Sequence, residues 1–400
     1  MKVLHVIPSV SERSGGPGQA IIPMCASLKS LGLDVLLAST DDDLPAQNTA
    51  GGPKREAVTR YKNLPAIFFP RQLGASFKYS RPFAVWLGDH VADYDLVHIH
   101  AVFNHSCMAA AKACLKKNVP YIVRPLGTLD PWSMKQKSLR KKVFWRAGVK
   151  TMLRSAAAIH YTTKGEQEGV ESSLGLNHGV VVPLGVEKPT TSDAEAVMKL
   201  AARFPLLLER PYVLVLSRLL PTKGLDVFVD AFLSVASQDG FKEWQLVLAG
   251  QGPKEYVQTL KAKASAHTAN NLLFPGWLEG DDKNAVLRHA SLLALPSYHE
   301  NFGLCVMEAL AAGIPALISP HVNLAEEVKA ATAGWIASVN KVSLEEALVQ
   351  ALGSDEERAR RGESGRTLAD SFVWPAVAAR LVDLYASVVQ RTGAPSSPSV

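Results

Sequence analysis

Cysteine is scarce in this chain. Four cysteines among 400 residues (Cys25, Cys107, Cys114 and Cys305) are scattered, with no Cys-x-x-Cys pair. That spacing argues against zinc ligation and against a disulfide framework. Each cysteine sits in an apolar neighbourhood, as buried free thiols do, so a reducing cytoplasm is expected. No apolar run reaches the roughly 18–20 residues that a membrane-spanning helix needs. The opening Met1–Pro8 turns polar too soon for a signal peptide and reads as a first strand. Gly-x-Gly-x-x-Gly is missing after that strand, and no acid closes the second one near Ser39, so a dinucleotide cofactor finds little support. No recognition-module signature accompanies the basic residues, and nucleic acid is not an expected partner.

What is present is a balanced globular composition, 47% apolar and 20% charged, with a net charge of +6. Such a length suggests two domains of ordinary size. Short apolar runs at 2–7, 33–39, 95–100, 120–124, 156–161 and 179–183 alternate with amphipathic stretches such as 17–31 and 103–117. A second set follows at 211–217, 244–249, 271–275, 291–295 and 314–318, separated by 224–236, 253–266 and 281–289. Strand-helix alternation in two sets predicts an α/β protein of two doubly wound, Rossmann-like domains facing each other across a cleft. The expected bounds are 1–188 and 189–372, with the linker at 186–192. Residues 40–60 read as an irregular insertion, and 392–400 as a disordered tail.

The most informative element is Pro296-Ser-Tyr-His-Glu300-Asn-Phe302-Gly303-Leu304-Cys-Val-Met-Glu308. An apolar strand precedes it and a helical run follows, so one carboxylate lies in the loop and the other inside the helix. A helix N-terminus offers free N–H groups to a phosphate, while Glu308, its Cβ tilted back toward that end, suits the hydroxyls of a ribose or a sugar. Helix capping alone would also account for acids there. Upstream, Arg218 and Lys223 lie five residues apart in a strand-to-helix loop, where they can neutralise a diphosphate from two sides. Lys223 opposes the helix dipole, which a purely structural role does not explain. Gly250 follows the next strand in another tight turn, and Phe274-Pro-Gly276-Trp277-Leu278 can line a planar base.

In the first half, Ser14-Gly15-Gly16-Pro17-Gly18 opens a helix where backbone can approach a ligand closely. His98 and His100 alternate on one strand and face the same way. His100 sits at the strand end, where a bond from imidazole to a sugar hydroxyl is favoured over a metal site; His98 reads equally well as a core residue. Arg124, Thr128 and Asp130 mark the next strand end, where an acceptor would approach. Residues 135–150 carry seven basic and no acidic side chains, with Leu139, Val143 and Ala147 in one stripe beside Phe144 and Trp145. Such a segment can lie on an anionic membrane or simply pack on its own domain.

Taken together and in order, Arg218 to Gly224, Ala249-Gly250-Gln-Gly252, Phe274-Pro-Gly276-Trp277 and Glu300 to Glu308 resemble the retaining glycosyltransferases of GT-B fold in family GT4 (glycosyl transferases group 1). The resemblance runs from Gly15-Gly16 to the helix ending near Gln390. It implies that Arg218 and Lys223 bind the donor diphosphate, that Glu308 takes the ribose and Glu300 the transferred sugar. Phe302, Gly303 and Leu304 would present backbone amides, and Gly16 and His100 would match the first-domain loop and the histidine near the donor sugar. It further implies a C-terminal helix, 373–391, crossing back to the first domain, and no cofactor and no metal; Asp41-Asp42-Asp43 lies in a polar loop, not at a strand end. The expected partners are a UDP- or GDP-linked sugar and a glycan or lipid-linked acceptor, as in surface polysaccharide or glycolipid assembly. A GT-B epimerase or phosphorylase and a non-catalytic sugar-nucleotide-binding subunit are the rival readings.

Overall fold

The computed structural model describes residues 1–11, 16–42, 44, 54–74, 76–136, 138–187, 194–265 and 271–393. The expected linker and tail fall largely outside this set. The chain divides into two compact units. Met1–Gly185 with Trp374 onward forms one, and Val186–Val373 the other.

The first unit holds strands β1 (Lys2–Ile7), β2 (Asp34–Thr40), β3 (Thr59–Tyr61), β4 (Leu64–Phe69), β5 (Leu96–His100), β6 (Tyr121–Arg124), β7 (Ala158–Tyr161) and β8 (Gly179–Val181). Their order is β3-β4-β2-β1-β5-β6-β7-β8, parallel except for the β3–β4 hairpin. The second unit holds β9 (Tyr212–Leu216), β10 (Gln245–Ala249), β11 (Leu272–Gly276), β12 (Leu292–Leu295), β13 (Ala316–Ile318) and β14 (Gly334–Ile336). Its order is β11-β10-β9-β12-β13-β14, parallel throughout. Central strands such as β5 and β10 are buried along their whole length, which is why they read as continuous apolar runs. Within each sheet the strand order reverses beside the first strand, between β1 and β5 and between β9 and β12. Ligands of open α/β sheets bind beyond the carboxyl ends of the strands at that point.

Three strands differ from the sequence reading. β3 and β4 lie at and beyond the end of the stretch taken as an insertion. They are joined by a turn in which Lys62 and Asn63 both take positive φ without a glycine to signal it. β14 is only Gly-Trp-Ile, too short for a period.

The helix Trp374–Thr392 packs on helix Gly16–Ser30 of the first unit. Its Tyr385 enters a chain of buried imidazoles whose direction can be worked out. Val182 carbonyl can only accept, so His160 donates to it from Nε2, 2.7 Å away. His160 Nδ1 then accepts from His98 Nε2 at 3.2 Å, and His98 Nδ1 accepts the Tyr385 hydroxyl proton at 2.7 Å. His5 Nδ1 and His100 Nε2 form a second pair at 3.0 Å. Burial first, and the nearby Arg124 charge, lower His5 and His160 to about 3. Burial and neighbouring imidazoles hold His98 and His100 well below their ordinary value.

These imidazoles are neutral in the fold and protonate readily in the unfolded chain. Stability is therefore complete above pH 6.5 and falls as pH drops from there toward 3. At pH 5 the linkage is worth at most about 2 kcal/mol for each of His5 and His160. Denaturant midpoints between pH 4 and 8 check this slope. Tyr385→Phe leaves His98 Nδ1 without its donor and should cost about 1–3 kcal/mol at pH 7 in the same assay.

Candidate active site

At the reversal point of the second sheet, three loops pack backbone against backbone. A Cβ on Gly250 would lie 1.8 Å from Ser217 carbonyl, and one on Gly224 2.3 Å from Pro296 carbonyl. Leu219 N–H donates to Gln251 carbonyl at 2.8 Å, and Tyr298 N–H to Thr222 carbonyl at 2.9 Å. The loop after β12 is pinned on its other side, where Glu300 N–H donates to His321 carbonyl and Asn323 N–H to Glu300 carbonyl, each at 3.1 Å. Gly303, at φ +78, then turns the chain into helix Leu304–Ala311.

The side chains follow from this frame. Lys223, 8% exposed, ends the short turn Pro221–Lys223 and is ion-paired with Glu300. Arg218 is exposed, and its guanidinium makes no hydrogen bond or ion pair among the described residues. Glu308, one turn into its helix, accepts from Lys283 at 2.7 Å, each side chain 21% exposed. Cys305 lies among these four charges. Burial above all, then Glu300 and Glu308, push its thiol up to about 12, against the pull of Lys223 and Lys283, so it is not a thiolate nucleophile. Phe302 is buried and serves the core, its ring 6.2 Å from that of Phe372. Leu304 stands at the helix start, where N–H groups lack intrahelical acceptors. Gly276, at φ +83, accepts at its carbonyl from Gly250 N–H at 2.8 Å. The half-buried Trp277 donates to Glu279 at 3.2 Å. The arrangement offers two cations for a diphosphate and two carboxylates for hydroxyls.

The first-unit candidates are placed differently. Gly15 lies outside the described residues, and Gly16 is the first residue of its helix. His100 and Arg124 are fully buried, whereas the sequence pattern suggested strand-end side chains open to a ligand. The reason is packing of helices on that face of β5 and β6: Arg124 Nη1 reaches Met24 Sδ at 3.6 Å. Burial lowers Arg124 to about 10, opposed by the Glu166 carboxylate. Its Nε and Nη2, with His5 Nε2 and His100 Nδ1, are buried without partners among the described residues. Nitrogens of His5, His98 and His100 lie within 4.8 Å of one another. His98 already uses both of its own, and the Arg124 cation stands beside them, so the cluster suits hydrogen bonding better than a dication. Thr128 Oγ1 donates to Pro125 carbonyl at 2.6 Å, and Asp130 caps the helix Pro131–Lys135 by accepting from Trp132 N–H.

That loop departs from ordinary backbone. Leu126 has φ +60, and Ala101, just after β5, has φ +103. Strained residues at two adjacent strand ends mark a site worth testing on this unit. Glu166 holds the loop, accepting from Gly127 N–H at 2.8 Å and from the Thr162 N–H and hydroxyl. Sequence reasoning passed over Glu166, although Thr163-x-x-Glu166 is a capping-box pattern that signals it. Lys283 was missed because nothing in its spacing links it to Glu308.

Gly250→Ala should destabilise the second unit by more than about 2 kcal/mol, since both φ +150 and the Ser217 carbonyl forbid a Cβ. Gly240→Ala, at φ +91 with no atom within 4 Å, should cost only about 1 kcal/mol. Equal denaturant midpoints for the two variants would refute the packing argument.

The family model described as "Glycosyl transferases group 1" matches residues 199–368, and "Glycosyl transferase 4-like domain" matches 15–185. The phosphatidyl-myo-inositol mannosyltransferase of Mycobacterium leprae is 24% identical over 97% of each chain. The D-inositol 3-phosphate glycosyltransferase of Salinispora arenicola is 28% identical over 52% of this chain, a match spanning 48% of that relative. Anabaena HepE, solved with UDP and glucose, superposes with a TM-score of 0.75 over 97% of this chain and 100% of its own, at 18% identity, which shows a shared GT-B fold. With the two models covering both units, the chain belongs to the group 1 glycosyl transferases and is a glycosyltransferase.

Proposed function

We propose that this glycosyltransferase moves a hexose from a UDP- or GDP-linked donor to a lipid-linked glycan or glycolipid acceptor, with retention of configuration and without a metal. One observation carries the donor reading: Lys223 and Glu300, from different strand ends, meet at the sheet's reversal point, and the loop that carries Lys223 also carries the exposed Arg218. Arg218 and Lys223 take the diphosphate and stabilise the negative charge that grows on it as the anomeric bond breaks, the role a metal plays elsewhere. Glu300 holds sugar hydroxyls, and Glu308 the ribose. Among the described residues of the second unit none stands out as a nucleophile, which favours front-side attack with the leaving phosphate accepting the acceptor's proton.

The acceptor reading rests on the first unit. Residues 138–144 form a helix that ends in a wide turn at Trp145–Val149, broken at Gly148 with φ +147. Phe144 stacks inward on Phe77 at 4.9 Å, while Leu139 and Val143, 77% and 60% exposed, face out among Lys135, Arg140, Lys142 and Arg146. From the same helix Lys141 donates to Thr128 and Ser133 carbonyls at 3.1 and 2.7 Å, tying this basic, apolar face to the strained Pro125–Asp130 loop. Such a face suits an anionic bilayer, which would present a lipid-anchored acceptor to that loop from the cytoplasmic side. The lipid acceptor named for the mycobacterial relative is in keeping with this.

Arg218→Ala and Lys223→Ala should each lower transfer by about 10²–10³-fold. Near-normal turnover in both would sink the donor assignment. Leu139→Glu with Val143→Glu should abolish sedimentation with phosphatidylglycerol vesicles while leaving hydrolysis of the donor intact. Unchanged vesicle binding would exclude this face.

A further inference from the structure

Lys283 is the single cation in a first helical turn that otherwise holds Asp281 and Asp282. The helix dipole disfavours it there, and Asp282 is already paired with Arg203. Its Nζ instead reaches out of its own helix, Gly280–His289, to Glu308 Oε1. The bond engages one carboxylate oxygen only. Oε2 makes no hydrogen bond to any described residue and is not buried. With each side chain only 21% exposed the bond is part-buried, so it holds the carboxylate in place as well as adding to stability.

Without Lys283, Glu308 would keep no hydrogen-bond or ion-pair partner among the described residues to hold its carboxylate in one orientation.

We infer that Lys283 is a positioning residue of the donor site, orienting Glu308 so that Oε2 faces the ribose hydroxyls. This rests on the donor reading above and adds to it a second lysine–glutamate clamp. Lys223–Glu300 serves the phosphate and sugar end, Lys283–Glu308 the nucleoside end. Because the ribose does not change during transfer, the clamp supports ground state and transition state alike, and its loss raises KM rather than lowering kcat.

The test compares nucleoside diphosphates with inorganic diphosphate as calorimetric ligands, using the full chain. Lys283→Ala should weaken UDP or GDP binding, whichever the wild type takes, by about tenfold. Diphosphate, which needs only Arg218 and Lys223, should bind within twofold of wild type. Donor KM should rise with kcat unchanged, the thermal midpoint should fall by no more than about 2–4 °C, and Lys283→Arg should recover most of the affinity. Nucleoside diphosphate binding that is indifferent to Lys283→Ala overturns the inference alone. So does an equal loss for diphosphate, which would make Lys283 a general phosphate-attracting charge. A wild type that binds neither UDP nor GDP overturns the donor reading and this inference with it.

Discussion

Everything at the donor site depends on strand-end loops that touch through their backbones. Ser217 carbonyl against Gly250 and Pro296 carbonyl against Gly224 leave no room for a single Cβ. That closeness brings the loop after β9 against the loop after β12, and hence Lys223 against Glu300. With side chains between them, the loops would stand apart by the thickness of a methyl group or more. Lys223 and Glu300 could not then meet within hydrogen-bond reach. The glycines therefore act on the chemistry only through the distances they permit.

The electrostatics of the site follow from that geometry. Two lysine–glutamate pairs act on Cys305, so the charges of the site cancel apart from Arg218. On the proposed donor reading, a diphosphate would meet one unpaired cation, Arg218, and one already committed to a carboxylate. It would gain both only by sharing Lys223 with Glu300, which would couple phosphate binding to the placement of that acid.

The first unit is organised by a different device, a buried polar chain. Tyr385, His98, His160 and Val182 carbonyl form one directed series that fastens the last helix to the sheet. Each member satisfies the next, so removal of one strands a buried partner, and this makes the attachment specific as well as stable. The same packing explains why His100 and Arg124, legible as strand-end candidates, are inside. Alternation along a strand tells which residues share a face, but not whether a helix covers that face.

The sequence by itself determined both doubly wound sheets, because fully buried parallel strands read as apolar runs and helices as periodic ones. It also singled out the candidate donor residues, since Arg218, Lys223 and Glu300 are polar groups in strand-end loops and Glu308 lies one turn into a helix, where no core role absorbs them. Short-range patterns do not carry the rest. β3 and β4 turn on a Lys-Asn pair at positive φ, Lys283 reaches Glu308 across 25 residues, and Tyr385 reaches His98 across 287. Nor could the stripe at Leu139 and Val143 tell its exposed side from its packed one until Phe144 was seen against Phe77. Pairings between distant residues are fixed by where helices land on the sheets. Only the tertiary structure decides that, because it is the sum of many packing contacts with no local signature.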